Sequence, residues 1–222
     1  MGLVELALAP VLVFLIYIYI RDKYEKEPVG LLLTGLMFGA LSTGVVIGLG
    51  GLIQRIEPAE GTVGSMIFTA FVASAGVEEA VKYLFLFILV WRNKNFNEPF
   101  DGIVYAVFIS LGFAGVENLV YVLNPQIGGA ETALARAFFS VPGHGLFGVS
   151  MGYYLSFAKF EKMGTKGAVL AYVIPWLFHA SYNLILLSGA KGYMVVFVIF
   201  IIFLWRNAFH KMKVHLENSP FK

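Results

Sequence analysis

Residues 63–90 read VGSMIFTAFVASAGVEEAVKYLFLFILV, a run of 28 residues in which only Glu78, Glu79 and Lys82 are charged. A helix needs about 20 apolar residues to cross a bilayer, so this run is long enough to span one. A charged side chain at the bilayer centre costs about 2.5 to 3.5 kcal/mol on insertion scales, and charges there mark a paired or hydrated interior. The stretch therefore predicts a membrane helix that carries a buried polar site.

The rest of the chain has the same character. Its 222 residues are 59% apolar and 14% charged, whereas soluble domains have about 45–50% and about 25%. This composition predicts an all-α, polytopic membrane helix bundle that forms a single domain over residues 1–222. Seven transmembrane helices are expected, and an eighth element would come from a break in the third run or from a separate interfacial helix at 130–141. The seven runs are 3–20, 29–53, 63–90, 102–123, 132–157, 167–188 and 193–205.

The basic residues outside the runs predict the topology. Alternate connections and the carboxyl-terminal end together hold twelve Lys and Arg, among them Lys159, Lys162 and Lys166, while the other connections hold two. Because Lys and Arg are retained on the cytoplasmic side, we expect the amino terminus outside and the carboxyl terminus in the cytoplasm. The net charge of +2 with no basic stripe argues against a nucleic-acid partner. The absence of cysteine excludes disulfides, thiolate metal sites and a cysteine nucleophile.

Polar side chains also interrupt the later runs. Lys82 can neutralise only one of the two adjacent glutamates, so the other needs a second partner or a proton. Adjacent acids in different protonation states suit general acid and base catalysis. Histidines and amides at comparable depth on other helices predict that these groups meet. The polar residues are Glu117 and Asn118 in the fourth run, Arg136 and His144 in the fifth, and His179 and Asn183 in the sixth.

Taken in order, these motifs resemble the PrsW family of bacterial intramembrane proteases, which is related to the Abi family and to the CAAX prenyl endopeptidases. The resemblance rests on the EEAVK motif of 78–82, the FDGIVY stretch of 100–105, Glu117-Asn118, His144, and His179 with Asn183. It implies hydrolysis of a peptide bond in a single-pass membrane protein within the bacterial cell membrane. The substrate that it implies is an anti-sigma factor, which would receive its first, site-1 cut in envelope-stress signalling.

The same resemblance implies the site residues. Motif by motif, the catalytic residues are expected to be Glu78, Glu79, His144, His179 and Asn183, with Lys82, Glu117 and Asn118 in supporting roles. In this scheme Glu78 or Glu79 is the base that activates water, and His179 with Asn183 stabilises the oxyanion. A site with no metal cofactor is favoured, because Asn is a poor zinc ligand and Lys82 suits an ion pair. The alternative is a Zn²⁺ site formed by Glu79, His144 and His179.

Other features have more ordinary interpretations, and one rival function stays open. Residues 148–152 match GxSxG, but small residues in an apolar run indicate a helix crossing rather than a serine nucleophile at Ser150. Asp101 at the start of its run is expected to cap a helix, and Arg136 to reach the outer membrane interface. The alternative function is a proton-coupled or ion-coupled transporter, since intramembrane acids and histidines are also expected there.

Overall fold

A computed structural model describes residues 2–161 and 163–222, and all regular structure within these ranges is helical. The expected all-α fold is confirmed. Lys162, which contributes to the topology prediction, lies outside the described residues. The α-helices are α1 (Leu3–Arg21), α2 (Val29–Ile53), α3 (Val63–Phe68), α4 (Ala75–Val90), α5 (Pro99–Val122), α6 (Ala130–Phe138), α7 (Ser140–Phe160), α8 (Gly164–Ser188) and α9 (Tyr193–Glu217).

The chain is a multi-pass membrane protein. Among the described residues, α1, α2, α5, α8 and α9 are each long and apolar enough to cross a membrane. The third run is divided into α3, a π-helical segment (Thr69–Ser74) and α4, and the fifth run into α6 and α7. Both divisions occur where an eighth element was expected. The last helix runs twelve residues beyond the predicted end at 205, to Glu217.

The extension of α9 is held by polar contacts with α7. Lys211 donates a hydrogen bond from Nζ to Ser150 Oγ at 2.9 Å, and His215 Nε2 lies 3.0 Å from the carbonyl oxygen of Tyr153. Both side chains are buried, so the helix continues where the sequence becomes polar. The Ser150 hydroxyl therefore takes part in a hydrogen bond between α7 and α9. Ser150 lies inside α7 and not at a strand-to-helix turn.

The central helix of the bundle is α5, whose apolar stretch is 78% buried. It contacts α2 and α7 backbone to backbone. A Cβ atom at Gly39 or Gly112 would lie 2.0 or 2.1 Å from a carbonyl oxygen of the facing helix, and one at Gly152 of α7 would lie 2.0 Å from the carbonyl oxygen of Gly102. The helix-crossing interpretation of 148–152 is confirmed, because only glycine permits so close an approach.

At its amino-terminal end α5 packs against the loop between α1 and α2. Glu27 in that loop accepts a hydrogen bond from the buried Tyr105 hydroxyl. Asp101 Oδ2 accepts the backbone N–H groups of Asn97 and Glu98 at 2.8 Å each, so its predicted capping role is confirmed. Burial in the loop raises the pKa of Asp22 to about 6. Burial, followed by the negative charge of Asp101, also raises the pKa of Glu27.

We predict that Gly112→Leu destabilises the protein strongly, because its side chain would collide with the backbone of α2. Overpacking costs about 1–3 kcal/mol where side chains can adjust, and more is expected against a carbonyl group. Gly48→Leu in α2 is the matched control, since nothing lies within 4 Å of its Cβ position. Thermal unfolding in detergent micelles compares the two variants, and equal midpoints would contradict the close packing of α2 on α5.

Candidate functional site

A cavity of about 420 Å³ lies between the π-helical segment and helices α5, α6, α7 and α8. Polar and charged side chains, which are uncommon in the apolar part of membrane helices, converge on it. Glu79 and Lys82 are not among its lining residues, although they lie directly behind it. The polar lining consists of Thr69, Ser74, Glu78, Glu117, Tyr121, Arg136, Ser140, His144, His179, Tyr182 and Asn183.

Behind the cavity, Glu79 and Lys82 form an ion pair one turn apart on α4. Lys82 Nζ lies 2.5 Å from Glu79 Oε1, and neither side chain is exposed. The same oxygen lies 2.8 Å from His179 Nδ1. Glu79 accepts a hydrogen bond from Nδ1–H of His179, so the other ring nitrogen, Nε2, faces away from Glu79. Lys82 thus neutralises Glu79, and Glu79 orients His179.

Glu78 occupies the cavity side of the same helix. Its Oε1 accepts a hydrogen bond from Ser74 Oγ at 2.8 Å, while Oε2 lies 3.9 Å from His179 Nε2. That second oxygen is buried and has no hydrogen-bond partner among the described residues. The two adjacent glutamates therefore have different environments, one closed by an ion pair and one open towards the cavity.

His144 on α7 lies between two charged groups. Its Nε2 is 3.0 Å from Glu117 Oε2, and its Nδ1 is 3.4 Å from Lys82 Nζ. Because an ammonium group can only donate, Nδ1 accepts and Nε2–H donates to Glu117. The His144 and His179 rings are 5.2 Å apart. Glu117 thus contacts a histidine of the cavity.

Asn183 joins the site through a residue that the sequence did not single out. Its Nδ2 donates to Ser74 Oγ at 2.9 Å, and the Ser74 hydroxyl in turn donates to Glu78 Oε1. Ser74 ends the π-helical segment, whose irregular backbone is bound by α8: Trp176 Nε1 donates to the carbonyl oxygen of Phe71 at 2.7 Å. The four-residue spacing from Ser74 to Glu78 was the only sequence signal for this contact.

Arg136 corrects an expectation. Its side chain turns into the bundle instead of reaching outwards: Nη2 lies 2.6 Å from Glu117 Oε2, and Nε donates to Asn118 Oδ1 at 2.7 Å. The short helix α6 carries it to the cavity, where the carboxylate attracts it. Asn118 in turn donates to the carbonyl oxygen of Ala7 at 2.7 Å. It therefore joins α5 to α1 and α6 rather than contacting the histidines.

Three cavity side chains can hold a metal ion. One ligand atom each from Glu78, His144 and His179 lies within 4.8 Å of the other two. The unpartnered Glu78 Oε2 and the carboxylate behind His179 fit such a role, since metal-binding histidines usually donate their other N–H to a carboxylate. His144 would exchange one of its two present contacts for the ion. The glutamate of this set is Glu78, where the sequence-based zinc alternative had Glu79.

We predict that Lys82→Met lowers the free energy of unfolding by about 3–5 kcal/mol, because Glu79 is left as an uncompensated buried charge. Adding Glu79→Gln should recover much of this loss, since the charge then leaves with its partner. The control is Lys213→Met, which removes an exposed ion pair with Glu217 and should change little. Unfolding in increasing SDS measures all three, and equal losses for Lys82→Met and Lys213→Met would contradict the argument.

The sequence matches a known protein family over most of its length. Residues 27–205 match the family model described as PrsW family intramembrane metalloprotease. Three curated relatives are each named Protease PrsW: those of Geobacillus kaustophilus (37% identical, covering 96% of this chain and 91% of the relative), Clostridioides difficile (33%, 96% and 91%) and Bacillus subtilis (34%, 96% and 94%). No solved structure matches the chain. The resemblance is confirmed, and transport has no support among these relatives.

The family description overturns the expectation of a site with no metal cofactor, because its members are described as metalloproteases. The structure explains why the two arguments for that expectation fail. Asn183 is a poor ligand but lies beyond Ser74 and outside the metal-capable set. Lys82 neutralises Glu79 and leaves Glu78 available. The metal-free interpretation was therefore wrong.

Proposed function

Because the chain belongs to the PrsW family of intramembrane metalloproteases, we propose that it cleaves single-pass membrane proteins in the cavity beside Glu78, His144 and His179. As a member of this family it is a peptidase of the membrane. The observation that carries the site assignment is the meeting of these three ligand-type side chains in front of a buried ion pair. The proposed substrate, an anti-sigma factor that receives its first cut here, rests on the resemblance described from the sequence.

The metal is assigned to Glu78, His144 and His179. When bound, a divalent metal ion supplies Lewis-acid chemistry, which activates water and polarises the scissile carbonyl. Glu79 and Lys82 hold the His179 ring so that Nε2 faces Glu78, and this nitrogen would hold the ion. Glu79 is fully buried behind this histidine, so we assign it a positioning role rather than that of the base.

Glu117 is the proposed proton carrier. Apart from Glu78, it is the carboxylate among the described residues that lines the cavity, and it lies beside His144. It accepts the proton as a water hydroxyl adds to the carbonyl carbon, and it returns the proton to nitrogen as the C–N bond breaks. Arg136 holds the carboxylate in position through its contact at 2.6 Å.

Asn183 is the proposed donor to the developing oxyanion. An amide group has two N–H donors, and Ser74 takes one of those of Asn183. The other is available on the cavity side, where a neutral donor contributes several kcal/mol to stabilising negative charge. Ser74 is a positioning residue in this scheme, because it links Asn183 to Glu78.

Substrate would reach the cavity from the lipid between the π-helical segment and the end of α8. The cavity wall there includes Leu186 and Leu187 of α8, whose side chains are exposed on the outside of the bundle. This end of α8 is the outer end if the carboxyl terminus is cytoplasmic, as the Lys and Arg distribution favours. Cleavage would then take place in the outer half of the bilayer.

We predict that His179→Ala abolishes cleavage of a single-pass substrate in proteoliposomes and removes the bound metal. Chelation of the wild-type protein should have the same effect, and returning Zn²⁺ should restore cleavage. Ser150→Ala is the control, since Ser150 bonds Lys211 away from the cavity. Mass spectrometry of released peptides and elemental analysis give the readouts. Full activity of chelated protein that contains no metal would disprove the metal assignment.

The variant Glu117→Gln distinguishes the proposed role of proton carrier from that of metal ligand. We expect a loss of about 10²–10⁴-fold in kcat, the usual contribution of a general acid or base, while the metal content stays at the wild-type level. Glu78→Gln should instead lose metal and activity together. If Glu117→Gln keeps wild-type kcat at every pH tested, another group carries the proton.

A further inference from the structure

A second cluster of carboxylates lies at the opposite end of α5 from the cavity. Glu25 and Glu27 of the α1–α2 loop meet Asp101 of α5 there, and one carboxylate oxygen of each lies within 4.8 Å of the other two. Asp101 is sixteen residues before Glu117, so the two sites are about 24 Å apart along the helix. Asp22 and Glu98 are buried close by.

No cation within the described residues forms a salt bridge with this cluster. Among the described residues, the ion pairs include none of Glu25, Glu27 and Asp101. Lys26 binds the carbonyl oxygens of Tyr19 and Asp22. Lys159 lies 4.0 Å above the Phe96 ring, where its charge attracts Asp101 without forming a salt bridge to it. Buried carboxylates without a cationic partner are costly, so they are protonated, paired or bound to a metal.

Each carboxylate also has a buried oxygen that accepts no hydrogen bond from outside the cluster in the described structure. The side chains of Glu27 and Asp101 are 2% and 0% exposed, yet Glu27 Oε1 and Asp101 Oδ1 have no hydrogen-bond partner, and neither has Glu25 Oε2. Their other oxygens are fixed from outside, by Tyr105 for Glu27 and by two backbone N–H groups for Asp101. One oxygen is thus oriented while the other is free, which is the arrangement of supported metal ligands.

We propose that Glu25, Glu27 and Asp101 bind a hard divalent cation, Mg²⁺ or Ca²⁺, separate from the metal of the histidine site. Oxygen-only ligands of this kind suit these ions, whereas zinc prefers histidine and thiolate. The ion would neutralise the cluster and join the α1–α2 loop to the start of α5. The proposal does not depend on the protease assignment, because none of its ligands lines the cavity.

Binding of Mn²⁺, a paramagnetic substitute for these ions, tests the site in the full chain in detergent. The free-ion EPR signal measures bound Mn²⁺ for the wild type, Glu25→Gln and Glu217→Gln. Glu25 is half-buried and makes no side-chain hydrogen bond in the described structure, so its substitution should not prevent folding. Glu217 is an exposed acid and controls for surface binding. Zn²⁺ is added first to fill the histidine site.

We expect wild type and Glu217→Gln to bind one Mn²⁺ that excess Mg²⁺ or Ca²⁺ displaces, and Glu25→Gln to bind it at least about tenfold more weakly. Mg²⁺ or Ca²⁺ should also raise the Tm of the wild type more than that of Glu25→Gln, because the ion binds the folded state. Equal Mn²⁺ affinity in the three proteins would overturn the proposal. So would a wild type that binds no Mn²⁺, since shared protons would then hold the cluster.

Discussion

The Glu79–Lys82 ion pair is the interaction on which the site depends. Neither side chain is exposed, so neither charge can be solvated, and each must be satisfied by protein groups. Glu79 takes His179 as its second partner, and Lys82 extends to His144. One pair of residues on α4 therefore fixes the histidines of both α7 and α8. Glu78 is left without a cation and is free to face the cavity.

Much of the site could be predicted because burying polar groups in a membrane costs free energy. Glu78, His144, His179 and Asn183 could be identified because apolar runs have no other reason to contain them. The assignment of the two glutamates could not be predicted, since it depends on how α4 is rotated against α8. For a similar reason Ser74 was missed and Arg136 was assigned to the membrane interface. A serine among alanines gives no signal, and Arg136 enters the site only because α6 separates from α7.

The sequence predicted that the central helix α5 spans the membrane, but it did not predict how the other helices pack against it. Hydropathy alone indicated that α5 crosses the membrane, whereas the backbone contacts at Gly39, Gly112 and Gly152 appear only when three helices are assembled. Lipid offers no hydrophobic drive between helices, so close packing through small residues stabilises the bundle. The rigid α5 then presents Glu117 at one end and Asp101 at the other.

The π-helical segment Thr69–Ser74 sets the rotation of α3 relative to α4. Such a segment contains one residue more than the α-helix it interrupts. Deleting a residue there would turn everything before it by about 100° relative to α4. If the deleted residue lay between Phe71 and Ser74, the carbonyl oxygen of Phe71 would turn away from Trp176 of α8. The number of residues in the segment, more than their identity, therefore determines whether α3 and α4 direct their polar side chains to the same side. A homologue with a deletion inside these six residues would need another way to bring the counterparts of Thr69 and Glu78 to the same cavity.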